Sequence, residues 1–165
     1  MSRKALAAFV VAALAAVIAV GGMSAAAGTT TQSHRNTLVG TWQQTVTLPA
    51  PAPPLHSMAV FAPGGGWVES SSEDPRSRSS NYGNWERVHG RLYATTAVHF
   101  LFNPQTGAFL GKRKIDSTRE VSEDGQSYRA VSRVTTFDTN GNVLGTFTAR
   151  ANGERMHVDR IPDLP

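Results

Sequence analysis

The side chains that could capture a metal or attack a substrate are few and scattered in this 165-residue sequence. A metal or haem site needs His, Cys or carboxylate groups that converge. His34, His56, His89, His99 and His157 are instead spread along the chain. Cysteine is absent, which removes thiolate ligands, thiol nucleophiles and any disulfide framework. No G-x-S-x-G occurs, so the strained elbow that presents a nucleophilic serine has no counterpart. Gly64-Gly65-Gly66 joins two strand-like runs, whereas a phosphate-cradling loop leads into a helix. The expectation is therefore no catalytic residue, no metal and no cofactor. What remains is arginine. Arg113 is flanked by Lys112 and Lys114, and in a strand the two lysines would face one way and the guanidinium the other.

The elements that would position these groups are short runs of β-branched and aromatic residues, separated by clusters of Gly, Pro, Asn and Asp, with no helical stretch beyond the amino terminus. The candidate strands are Leu38 to Leu48, His56 to Ala62, Gly66 to Ser71, Asn81 to Val88, Arg91 to Asn103, Ala108 to Ser122, Ser127 to Asp138, Val143 to Ala151 and Glu154 to Ile161. A meander of 8–9 strands with one apolar face leaves exposed edges unless it closes, which predicts an all-β, single antiparallel up-and-down barrel. A sandwich is the alternative.

Two-residue turns fix which residues face each other. With turns centred on Asp124-Gly125, Asn140-Gly141 and Asn152-Gly153, Ile115 meets Val134, Val134 meets Phe147 and Phe147 meets Val158 on one face. Through the Asn103 to Gly107 turn, Phe102 meets Phe109 and Thr96 meets Ile115. Glu120 then opposes Arg129 and Asp116 opposes Arg133, the opposite-charge pairing that favours a register. Arg150 facing Arg155 fits poorly and suggests a bulge.

In this register Arg113 points inward between Val98 and Thr136, and His99 and His157 lie outside. A buried guanidinium keeps its charge and needs an acceptor. Arg113 is thus read as the anchor for an anionic group of a ligand whose apolar body lies against Phe100, Phe102, Phe109, Val134 and Phe147. Tight turns gather at one end. There Trp42, Trp85 and Tyr128 are expected together, with Arg87 or Arg119 on the Trp42 indole. The Pro49 to Pro54 and Ser72 to Ser80 loops fall at the other end, the expected mouth. Ser72 to Ser80, with Glu73, Asp74, Arg76 and Arg78 and almost no apolar side chain, is expected to be a mobile, solvated loop.

Gly40-Thr41-Trp42 opening the first strand resembles the G-x-W of lipocalins and other calycin barrels. Leu38-Val39 before it, Tyr82-Gly83-Asn84-Trp85-Glu86-Arg87 with Gly90 and Tyr93, and Asp138 to Val143 as D-T-N-G-N-V extend the likeness to exported bacterial lipocalin-like proteins. The resemblance implies a lipocalin-like barrel with a tryptophan at its closed end and a general binding role. The chain departs from it in having no T-D-Y-type second motif, no cysteines and no helix after the barrel. Gln43-Gln44-Thr45 also replaces the glycine-rich continuation of nitrobindin-like haem barrels.

Arg3 and Lys4, the uncharged run Ala5 to Val20 and the small residues Ser24 to Ala27 read as a cleavable signal peptide over 1–27. The expected organisation is a disordered leader over 28–37, the barrel over 38–161 and a tail over 162–165. About 138 residues remain after cleavage, one domain's worth. Export to the cell envelope or beyond, with no membrane anchor after cleavage, follows. The formal charge of +4 drops by two with Arg3 and Lys4, and the remaining charges are of mixed sign and interspersed, so nucleic-acid binding is not expected. Three function classes remain: a lumenal binder of a small apolar or amphipathic molecule, an isomerase or cyclase of the allene-oxide-cyclase or dirigent type, and an envelope-associated interaction module acting through its loops. A lumen filled by side chains favours the last.

Overall fold

The computed structural model describes residues 37–159. The signal-peptide reading, all but the last residue of the leader and the tail lie outside them. Eight strands run in order: β1 (Gly40–Thr47), β2 (Leu55–Phe61), β3 (Gly66–Ser71), β4 (Asn81–His89), β5 (Leu92–Phe102), β6 (Phe109–Val121), β7 (Ser127–Phe137) and β8 (Val143–Arg155). Each is antiparallel to the next and β8 pairs with β1, so the sheet is a closed up-and-down barrel with no edge left to template pairing.

Period-two alternation sorts the two faces. In β7, Tyr128, Ala130, Ser132 and Val134 are buried, and Ser127, Arg129, Val131 and Arg133 are exposed. Short polar side chains shape the turns between strands. Asp124 accepts from Ser122 Oγ and the Gln126 N–H, and Gly125 supplies the left-handed residue at φ 73°. Asp138 organises the β7–β8 turn in the same way, accepting from the Asn140 and Asn142 N–H groups. With these turns in place, Ile115 pairs with Val134, Asp116 with Arg133, Glu120 with Arg129, Val134 with Phe147 and Phe102 with Phe109.

Two expectations about strands and their pairing are corrected. Asn152-Gly153 is not a turn and Glu154 to Ile161 is not a ninth strand. β8 runs through to Arg155 and closes the barrel on β1, pairing Asn152 with Thr45 and Arg155 with Trp42. Gly153 is there for space, because a Cβ would press into the Tyr128 ring, which lies over its backbone. Arg150 therefore meets Val131 and Thr47, and no Arg150–Arg155 clash arises. Val158, expected inside, is 92% exposed.

The second correction concerns β5 and β6. Leu101 pairs with Gly111 while Phe102 pairs with Phe109, leaving Leu110 as an extra residue. Gly111 at φ 127° takes the conformation this bulge requires, and its missing Cβ leaves room for the Phe137 carbonyl. One inserted residue inverts the faces beyond it. Ala97, not Thr96, meets Ile115, and His99, not Val98, meets Arg113.

The core lies at the tight-turn end, where Leu38, Trp42, Phe61, Trp67, Tyr93, Val121 and Tyr128 pack together. Trp42 is fully buried, with its ring 4.9 Å from Tyr128 and its Nε1–H donating to the Leu38 carbonyl at 2.8 Å. The guanidinium over its indole belongs to Arg155, 4.2 Å from the ring centroid, rather than to Arg87 or Arg119. Arg155 also donates to the carbonyls of Thr37, Val39 and Gly125. Arg87 lies on the exposed side over Tyr93, the same ring that Trp85 meets at 5.7 Å. Arg119 is buried among Phe61, Trp67 and Tyr128, 5.1–5.3 Å from their centroids.

Candidate functional site

Above this core the lumen opens into a small cup of about 70 Å³ at the long-loop end. One wall is apolar: Val46 of β1, Leu48 and Leu55 beside the first loop, Val134 of β7 and Phe147, Ala149 and Ala151 of β8. The opposite wall, from β3 to β6 and the loop over them, is polar: Glu69, Glu73, Arg78, Asn81, His99 and Arg113. The floor is Arg119 with Gln44, whose Oε1 accepts from Arg119 Nη1 at 3.3 Å and from the Tyr128 hydroxyl.

The polar wall is a linked network. Asn81 Nδ2 donates to Glu69 Oε2 at 2.8 Å, and Asn81 Oδ1 meets His99 Nδ1 at 2.6 Å. A carboxylate only accepts, so the amide nitrogen must face Glu69 and its oxygen must face the imidazole. His99 therefore carries its proton on Nδ1, and Nε2 is left as an acceptor. Burial pushes the His99 pKa down to about 3, with the charges of Arg78 and Arg113 acting in the same sense. The ring is neutral at physiological pH.

Glu73 ties the loop to the wall. Its carboxylate pairs with Arg78 and lies 3.8 Å from Arg113 Nη1. The Ser72 to Ser80 loop is thus not a free solvated segment. Its backbone bonds to β5 at Phe100 and Phe102, and Arg78 bridges Leu101. Its polarity serves inward-facing ion pairs and hydrogen bonds to a strand end, which sequence composition cannot distinguish from solvation.

Of the residues expected to line the ligand, Arg113, Val134 and Phe147 line the cup. Thr136 sits opposite Arg113 on β7, outside the cup's lining. Phe100, Phe102 and Phe109 do not belong to the lumen. The bulge at Leu110 turns them outward, where Phe109 meets Phe100 at 5.8 Å and Phe102 at 6.1 Å. Leu110, next to Phe109 in the chain, is exposed as well, as are Val143 and Leu144 at the start of β8. His99 was expected outside and is 2% exposed within the wall. His157 is outside, bonded to Gln126. Glu69 could have been found from alternation with Trp67, and Gly111 inside a strand was the available signal for the bulge. Among the described residues no three His, Asp or Glu side chains are grouped to hold a metal ion.

Fold and site together define a class: a closed eight-stranded antiparallel barrel, plugged at one end and carrying at the other a small, mainly apolar cup bordered by charged residues. Compared with known proteins, the chain matches no family model, no curated protein and no solved structure.

Proposed function

We propose that this chain is an exported barrel of the lipocalin-like, calycin type that binds a small amphipathic molecule in its cup. The carrying observation is a cavity whose open lining is mainly apolar and which is bordered on one side by the charged and polar residues Glu73, Arg78, His99 and Arg113. Such a cavity suits a ligand with one greasy side and one polar end. The basic, alanine-rich amino terminus supports export, and G-x-W at the plugged end supports the family comparison. The size of the cup restricts the ligand. Pockets for drug-sized molecules are roughly 300–1,000 Å³, so only a compact molecule, or the head of one whose tail leaves by the mouth, fits about 70 Å³.

The exposed aromatic pair of Phe100 and Phe109, with exposed Leu110 next to it in the chain, favours a second reading, an interaction module. Native mass spectrometry of protein gently purified from an exporting host separates the two. The binder reading expects a bound small molecule in the wild type and in Phe100→Ser, and its loss in folded Ala149→Phe, where a ring fills the cup. A wild type free of any adduct, and not stabilised by any member of a panel of short amphiphiles, refutes it.

A further inference from the structure

Three residues that line the cup each bury a polar atom without a hydrogen-bond partner: Arg78 Nη2, Arg113 Nε and His99 Nε2. They belong to one place. His99 and Arg113 are cross-strand neighbours, and Glu73 pairs with Arg78 and Arg113 together. The Arg78 side chain is only 9% exposed. Leaving such groups unsatisfied is costly, and here three belong to residues lining one cavity. Their polarities differ. The two guanidinium N–H groups can only donate, while His99 Nε2, with Nδ1 protonated toward Asn81, can only accept.

The charges of the cup do not balance either. The guanidiniums of Arg78, Arg113 and Arg119 face the carboxylates of Glu69 and Glu73, an excess of one positive charge. A single anionic group restores neutrality without displacing Glu73. The lining next to these atoms turns apolar at Val134 and Phe147, and the cavity has room for only a few heavy atoms beyond a polar head.

Resting on the binding reading above, we propose that the cup recognises a short-chain hydroxycarboxylate. Its carboxylate accepts from Arg78 Nη2 and Arg113 Nε, its hydroxyl donates to His99 Nε2, and its alkyl chain lies on Val46, Val134 and Phe147. Glu73 holds the two arginines in place and thereby acts as a positioning residue. A simple fatty acid leaves the imidazole acceptor unanswered, and a neutral alcohol leaves both donors and the charge unanswered.

Calorimetric titration of the purified protein with 2-hydroxyhexanoate, hexanoate and 1,2-hexanediol tests this with one chain length and three heads. The expected order is hydroxyacid, then acid, then diol. Each step weakens binding by about tenfold or more, the scale of a hydrogen bond to a charged or buried partner. Arg113→Gln and Arg78→Gln are expected to abolish the preference for the acid over the diol. His99→Phe is expected to erase the preference for the hydroxyacid over the acid. Three probes binding equally, with amide shifts on β7 and β8, overturn the head-group assignment and leave amphiphile binding standing. No binding by any of them overturns the assignment also, and the adduct measured by native mass spectrometry then decides the broader reading separately.

Discussion

Lowering the pH from neutral toward pH 5 should weaken this barrel through His99. The imidazole is 2% exposed, faces Arg78 from the loop and Arg113 from β6, and reaches Glu69 of β3 only through Asn81. The unfolded chain takes up a proton near the ordinary value of 6.5, whereas the folded ring stays neutral down to about 3. Between those values the unfolded state binds more protons, so stability is full above the unfolded value and is lost as the pH falls. One pKa unit corresponds to about 1.4 kcal/mol, so the loss between pH 7 and pH 5 is about 2 kcal/mol. That is a sizeable part of the roughly 5–15 kcal/mol that holds a domain of this kind. Asp74, Asp116, Asp124 and Asp138 also have lowered values, but their ordinary value is 3.8. They act mainly below this window. Urea denaturation at half-unit pH steps would measure the slope in the wild type and in His99→Asn, which retains a short amide beside Asn81 and cannot titrate. The variant should be less stable at neutral pH and nearly flat from pH 7 to pH 5. An equal acid slope in both proteins refutes the reasoning.

Arg155→Ala should cost about 2–4 kcal/mol in the same assay, because it removes the guanidinium from the Trp42 face and leaves the carbonyls of Thr37 and Val39 without their donor. A midpoint equal to the wild type's would mean that the staple is solvent-exchangeable. Gly83→Ala should lose at least about 3 kcal/mol or fail to fold, since the added methyl falls 2.7 Å from both Ala97 Cα and Trp67 Nε1. Near-normal thermal unfolding of that variant would show that β4 and β5 can separate at this point.

Much of the architecture was legible because it is written locally. Alternation along β3 and β7 marks a half-buried strand wherever it sits, and the Asp124-Gly125 turn sets the register of β6 with β7 with no need for distant contacts, whereas the register of β7 with β8 also includes a shift at Leu144, between the pairs Phe137–Val143 and Thr136–Gly145. Trp42, Tyr128, Val134, Phe147 and Arg113 could be placed inside for that reason. Three features depended on the tertiary structure. Gly153 resembles a hairpin residue, and only closure of β8 against β1, with Tyr128 lying over it, makes it a strand residue. Leu110 is a bulge because Gly111 admits the Phe137 carbonyl, a contact between strands that turn chemistry does not encode. That single insertion exchanged Phe100 for His99 in the lumen. Glu73 and Arg78 belong to a segment whose composition is that of a solvated loop, and they became part of the cup because Arg113 and the end of β5 supplied partners. Local periodicity determines which face a residue shares with its neighbours, while the interior chemistry of this barrel was decided by insertions and long-range ion pairs that shift or override that period.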